Sequence, residues 1–480
     1  MSSDRPNVLV VMTDQQRFDT IGALGNSQIH TPNLDRIADS GVSFTNAYTP
    51  APICVPARHS IRTGCEPIRT GYLGNDKRDG AHLEDRCGPF LARAMGNRGY
   101  RTFGVGKFHT TPYDLELGYD VHLRREVYEE DTGNELSTAL GRKDAVHLLP
   151  QTNQLPADET FASWVADRTV EQLREDDDRP FFGMASFMWP HLPFAPPEPY
   201  DRMYNPDLLA NPVREDRDLD HMDEMIPKNN RSFWNEREDA ISDPTARTIR
   251  AHYYGMITHV DRQIGRILDA LEAADELENT VLCFVSDHGE LLGDHHGWQK
   301  TAAFEASVRV PFLLSWPGRL PAGETNDELV SLLDLFGVAT TAAGDPDYRD
   351  GIDLVGMVAG DAEPRQRLFA YHEQPSMPPN FTMMVREGDW KYVYMANGGR
   401  EQLFDVATDP DETTQLREDR PEVAARLRNA AVEHLQEREF REALGNDSLA
   451  ASPFRRLDGV RGGDYPDHPG DLLPESSDEE

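Results

Sequence analysis

Near the amino end, Asn7 to Met12 form an almost unbroken apolar, β-branched run that stops abruptly at Thr13 and Asp14. A run without polar alternation fits a strand covered on both faces, as in a parallel sheet, and not a strand with one wet side. Gly99 to Val105, Pro180 to Phe187, Thr280 to Val285 and Val310 to Trp316 read the same way. Helical patterns fall between them. Thr31-Pro32 is a cap and first-turn proline leading Leu34, Ile37 and Ala38 on one face. Asp158 to Glu175 has helical spacing, Thr245 to Ala273 carries a stripe from Ile249 to Ile267, and Ser331 to Ala343 forms another helix. Strands alternating with helices predict an α/β fold: a large, mostly parallel sheet flanked by helices on both faces.

The pattern changes after Glu363. Met383 to Arg386, Trp390 to Met395 and Gln402 to Phe404 are short strand-like pieces joined by turns at Gly388 and at Gly398-Gly399, and Pro421 to Glu437 reads as one amphipathic helix. The expected organisation is a catalytic α/β domain over 1–363, a small α+β domain of antiparallel strands and a helix over 364–449, and a flexible acidic tail over 450–480. The stretches 119–156 and 199–243 lack strong periodicity and read as excursions from the sheet.

Acidic residues number 84 against 48 basic ones, for a net charge of −36. That excludes a protein built to hold bare nucleic acid or an anionic membrane face, both of which need clustered positive charge. Only six lysines occur, at 77, 107, 143, 228, 300 and 391. Acidity with arginine in place of lysine points to a halophilic, salt-rich cytoplasm, where surface carboxylates stay screened and hydrated. No segment has the length of a membrane span, the amino end lacks a signal-peptide pattern, and four cysteines make no disulfide framework. A cytoplasmic protein is expected.

In open α/β sheets, ligands gather beyond the carboxyl ends of the strands. Asp14 and Gln15 follow the first strand, Lys107 and His109 the second, His191 the third, and Asp287 and His288 the fourth; Lys300 lies shortly after. Any one of these residues alone reads as a helix cap or a packed histidine. Their convergence on one sheet edge is what singles them out. Asp14, Gln15 and Asp287 offer hard oxygens, while His288 offers one nitrogen or a hydrogen bond to a bound anion; a mostly oxygen set suits calcium, magnesium or manganese, of which calcium is the expected ion. Cys54-Val-Pro-Ala-Arg58 opens a helix that Gly64 closes, placing Cys54 at a helix amino end, where N–H groups and the dipole favour an anion and a reactive sulfur. Cys65, Cys87 and Cys283 read instead as small buried hydrophobes.

Cys-x-Pro-x-Arg with Thr63-Gly64 behind it resembles the signature of the type I sulfatases of the alkaline phosphatase superfamily. Gly106-Lys-Phe-His109, Pro190-His-Leu-Pro-Phe194, Ser286-Asp-His-Gly-Glu290, Gly293-Asp-His295, and Lys300 with Glu305 and Arg309-Val-Pro311 continue the likeness; Lys391-Tyr392, Leu403-Phe-Asp405 and Asp409-Pro410 extend it toward residue 440. The resemblance implies that Cys54 is oxidised to formylglycine by a formylglycine-generating enzyme and hydrated to a gem-diol. One hydroxyl, activated by the metal and Asp287, attacks sulfur. His191 with Lys300 protonates the leaving alcohol. His109 deprotonates the second hydroxyl, which expels sulfate. Arg58 holds the modified residue, while Lys107 and Lys300 offset sulfate charge. Many relatives carry Asp where this chain has Gln15, Asn for His288 and Ser for Ala57. The expected substrate is a small-molecule or carbohydrate sulfate ester. The alternative is a phosphonate monoester or phosphodiester hydrolase on the same site. A Gly-x-Ser-x-Gly elbow is absent, and Gly104-Val-Gly-Lys107 lacks the spacing of a P-loop.

Overall fold

The computed structural model describes residues 5–75, 82–140, 149–214, 223, 226, 241–373, 381–446 and 448–455. Most of the expected acidic tail and much of 199–243 lie outside the described residues.

Among the described residues, ten strands occupy the first three quarters of the chain: β1 Asn7–Asp14, β2 Val42–Phe44, β3 Ala47–Tyr48, β4 Arg101–Gly106, β5 Val121–Arg124, β6 Phe181–Pro190, β7 Thr280–Ser286, β8 Phe312–Ser315, β9 Glu324–Asn326 and β10 Val330–Ser331. Eight of them form one sheet in the order β5-β4-β6-β1-β7-β8-β2-β9, while β3 and β10 pair separately. The run from β5 to β7 is parallel, and β8 is antiparallel to both β7 and β2. The fold class expected from the sequence is the one observed.

Strand side chains alternate between two cores. Leu9, Val11, Leu282 and Phe284 face one side, under the helices Pro32–Asp39, Phe161–Leu173 and Asp243–Ala273. Val8, Val10, Met12, Cys283 and Val285 face the other, under Cys54–Thr63, Leu91–Asn97 and Asp334–Ala342. Every residue of β1, β6 and β7 is buried, which explains why these strands read as unbroken apolar runs. Each fully buried Val, Leu or Phe contributes about 1.5–3 kcal/mol. The long helix starts at Asp243 because the Ser242 hydroxyl accepts from Thr245 N and Pro244 fills the first turn.

One reading needs correction. Residues 121–124 belong to the sheet as its edge strand β5, pairing with β4, whereas 119–156 reads as an excursion. β5 is short, half-buried and carries His122 and Arg124, so no apolar run marks it.

The second sheet, β11 Leu368–His372, β12 Thr382–Glu387, β13 Trp390–Met395 and β14 Arg400–Asp405, is an antiparallel meander in sequence order. Helix Pro421–Glu437 covers one face through Ala424, Leu427, Ala431 and Leu435. The other face packs Leu368, Ala370, Met384 and Val393 against Tyr48, Val308 and Leu329 of the large sheet's surroundings.

Candidate active site

Because β4, β6, β1 and β7 are parallel, their carboxyl ends deliver side chains to one edge. Thr13 pairs with Ser286, Asp14 with Pro190 and Gly106 with Ser186, so residues just beyond these positions become neighbours. Two glycines permit the convergence. A Cβ on Gly106, at φ +109°, would lie 2.0 Å from Ser186 O, and one on Gly289 would lie 2.0 Å from Ala306 O. The second contact seats the loop after β7 on the segment that follows Lys300.

Helix Cys54–Thr63 brings the cysteine. Its cap residue, Ile53, has no capping side chain, and Asn75 Oδ1 accepts from Val55 N at 2.9 Å instead. One turn on, Arg58 reaches into the strand ends. Its Nε donates to Asp287 Oδ2 at 2.7 Å, Nη2 to Asp14 Oδ2 at 2.7 Å, and Nη1 to Lys107 O at 2.7 Å and Ser186 Oγ at 3.1 Å. Lys107 Nζ pairs with the same Asp14 oxygen at 2.7 Å.

Cys54 Sγ stands 3.1 Å from His288 Nε2, 3.1 Å from Lys300 Nζ and 4.0 Å from Asp14 Oδ1. Lys300 Nζ also donates to Gln15 Oε1 at 2.9 Å and meets His191 Nε2 at 3.1 Å. Thus Cys54, Arg58, Lys107, His191, Lys300, Asp14, Gln15, Asp287 and His288 meet in one buried cluster. His109 follows Lys107 by two residues and is half-buried with φ +46°.

The electrostatics follow from burial. Desolvation works to raise the Asp14 carboxyl, but Lys107, Arg58 and Lys300 outweigh it and hold it well below the usual carboxylate range. Burial, then Lys300 and Lys107, push His191 well below its ordinary value, so its ring is neutral. Burial also lowers His288. In both rings Nδ1 faces a carbonyl, Leu192 O at 2.8 Å and Gly289 O at 3.0 Å; a carbonyl only accepts, so Nδ1 carries the proton and each Nε2 presents a lone pair.

That chemistry fits a divalent cation. Asp14, Cys54, Asp287 and His288 offer ligand atoms within 4.8 Å of one another. Gln15 Oε1 accepts from Lys300 Nζ, which also meets Cys54 Sγ, and His288 has the ligand's tautomer with its far nitrogen anchored.

Four further residues shape this place. Glu290 is buried and accepts from Gln15 Nε2. Arg62, one helical turn past Arg58, donates to Phe108 O; burial and Arg58 push it down to about 9. Ser186 and Asn75 complete the set, and Asn75 Nδ2 is buried without a partner among the described residues. Glu290 and Arg62 lie inside motifs visible in the sequence. Asn75, in an irregular loop, carries no such signal.

The sulfatase family model matches residues 6–344. The chain belongs to the sulfatase family. A second model, for the C-terminal part of N-sulphoglucosamine sulphohydrolase, matches residues 293–439. An arylsulfatase of Clostridium perfringens is 30% identical over 95% of this chain and 100% of its own length. A choline-sulfatase of Rhizobium meliloti is 30% identical over 87% and 83%. Among solved structures, a phosphonate monoester hydrolase of Agrobacterium radiobacter superimposes with a TM-score of 0.75 at 26% identity, covering 93% of this chain and 100% of that one. This sulfatase is accordingly a sulfuric ester hydrolase, and its family implies a divalent metal and a cysteine-derived formylglycine. Among the described residues, no helix is long and apolar enough to cross a membrane.

Proposed function

We propose that this sulfatase cleaves sulfate monoesters at residue 54 after Cys54 has been converted to formylglycine. The observation that carries the reading is the placement of Cys54 Sγ at a buried helix amino end, 3.1 Å from both Lys300 Nζ and His288 Nε2. Hydrated formylglycine supplies a hydroxyl nucleophile, and a divalent cation supplies Lewis acidity toward it and toward the sulfate oxygens. Asp14, Gln15, Asp287 and His288 would hold the cation; we propose calcium first because oxygen donors dominate, with magnesium and manganese as competitors.

The remaining roles belong to the chain's own groups. Arg58 bridges Asp14 and Asp287, fixing the separation of the two carboxylates. Lys107 and Lys300 place ammonium charge where sulfate oxygens would sit, a preorganised stabilisation of developing charge. The proton for the departing alcohol is held on Lys300 Nζ, since His191 Nε2 accepts from it. His191 therefore orients that proton and relays it. His109 is assigned the later proton abstraction. The substrate class is a small-molecule or carbohydrate sulfate ester, and maturation requires a formylglycine-generating enzyme. The acidic, lysine-poor composition supports work in a salt-rich cytoplasm.

The Agrobacterium radiobacter likeness favours one second reading, a phosphonate monoester or phosphodiester hydrolase using the same residues. Turnover of nitrophenyl sulfate is measured against that of a phenylphosphonate ester, with and without calcium, in concentrated salt. Preference for the sulfate ester supports the first reading; preference for the phosphonate ester installs the second. Mass analysis of the peptide containing residue 54 is run alongside, and an unmodified thiol in active enzyme would overturn the formylglycine assignment.

A further inference from the structure

Gln15 carries an amide whose two ends are opposite in character: Oε1 can serve a cation, and Nε2 cannot. The surroundings decide which end faces the centre. Nε2 donates to Glu290 Oε2, and Oε1 accepts from Lys300 Nζ at 2.9 Å. The backbone on either side of that amide is also held, with Gln15 N donating to Asp287 Oδ1 at 3.1 Å and Gln15 O accepting from Tyr253 Oη at 2.7 Å. The amide flip is therefore the freedom that remains to be fixed.

Glu290 is suited to fix it. An ionised carboxylate only accepts, so the NH2 end of Gln15 must turn to it and the oxygen end must turn inward. The other Glu290 oxygen accepts from Leu292 N at 2.9 Å and Gln299 N at 2.6 Å. Glu290 cannot swing away, because Gly289 N and Glu290 N donate to Ser307 O and Ala306 O at 2.8 and 2.9 Å. Gln299 immediately precedes Lys300. One buried carboxylate thus ties together the neutral oxygen donor and the strand of chain that delivers the ammonium.

We propose that Glu290 is a positioning residue: it orients the Gln15 amide with Oε1 toward the divalent cation and seats the Gln299–Lys300 segment against Cys54. The proposal rests on the cation-binding reading given above. It explains how a glutamine serves at position 15, since a carboxylate there would need no such orientation but would face Glu290 with like charge.

The test is equilibrium dialysis of the full-length, metal-free protein against calcium and, separately, manganese, with thermal unfolding as a check on folding. Glu290→Gln places an NH2 opposite Gln15 and flips its amide, so cation affinity is expected to fall about 10- to 100-fold. The double variant Gln15→Glu with Glu290→Gln restores complementarity. The amide introduced at position 290 donates to one oxygen of the carboxylate introduced at position 15, the other oxygen faces the cation, and affinity returns to within a few-fold of wild type. A merely structural role predicts no such rescue. Wild-type affinity in Glu290→Gln overturns the proposal, and so does failure of the double variant to restore binding; should the single variant not fold, the double variant decides alone. If the unaltered protein binds neither ion, the cation reading itself fails and removes this inference with it.

Discussion

Lys300 and Lys391 are both fully buried, yet their surroundings are opposites. Lys391, on β13, lies 3.0 Å from Glu305 Oε1 and 2.6 Å from Glu412 Oε1. Glu305 in turn accepts from Tyr48 Oη at 3.0 Å, and Glu412 accepts from Glu305 N at 2.6 Å. This is an ammonium closed in by carboxylates, joining the small sheet to the segment that leads into β8. Lys300 instead donates to Gln15 Oε1, Cys54 Sγ and His191 Nε2, and its charge also helps to hold Asp14 ionised. An ammonium whose hydrogen bonds include three uncharged acceptors keeps more of its field available to an incoming anion than one clamped between two carboxylates. The same residue type is structural in one place and suited to catalysis in the other, and the partners make the difference.

The largest effect that would sharpen this contrast is at the sulfur. Cys54→Ala removes the group that both Lys300 and His288 face, and sulfate ester hydrolysis is expected to fall by about 10⁴-fold or more, with thermal unfolding little changed. Activity within tenfold of wild type would remove residue 54 from the reaction. Next comes Lys300→Met. Loss of the proposed proton donor and of one ammonium beside residue 54 is expected to lower kcat/KM about 10²- to 10⁴-fold, with a smaller loss of stability than at Lys391, because Asp14 keeps Arg58 and Lys107 as partners.

Lys391→Met should do the reverse. It leaves Glu305 and Glu412 buried beside each other, a loss of about 3–5 kcal/mol in unfolding free energy. The fraction that remains folded should keep its KM. Adding Glu412→Gln to Lys391→Met should recover part of the loss, because one stranded charge is gone. If Lys391→Met instead lost activity without losing stability, the distinction between the two lysines would collapse.

How much of this was legible before folding depends on what holds each residue. β1, β6 and β7 are covered on both faces, so burial wrote itself into apolar runs that need no partner to be recognised. β2, β9 and β10 have two or three residues and no pattern to read, and β5 is a half-buried edge. The residues at the strand ends were accessible by the topological rule alone. What sequence could not supply is pairing across distance: Gln15 and Lys300 lie 285 positions apart, and Glu290 gains its role only once three backbone and side-chain donors have been brought to it. The contrast between Lys300 and Lys391 was equally hidden, since neither lysine's neighbours in the chain are its neighbours in space.

The smallest expected effect separates the two regions by their response to acid. Burial and Glu305 push the Glu412 carboxyl above its usual range against the pull of Lys391, whereas Asp14, equally buried, is held below its range by surrounding cations. The signs are opposite. A folded-state value raised above the unfolded one means that the native protein takes up a proton first, so the Glu412 contribution to stability grows as pH falls from neutral toward 4.5. A depressed value means that the Asp14 contribution is present above 3.8 and is lost as pH falls through the lower folded value. Urea unfolding of wild type, Glu412→Gln and Asp14→Asn across that range reads both. Relative to Glu412→Gln, wild type should gain stability on mild acidification; relative to Asp14→Asn, it should lose stability only in stronger acid. Parallel curves for wild type and Glu412→Gln would show that Lys391 fully compensates its second carboxylate, and the balanced cluster would then differ from the Lys300 site in degree and not in kind.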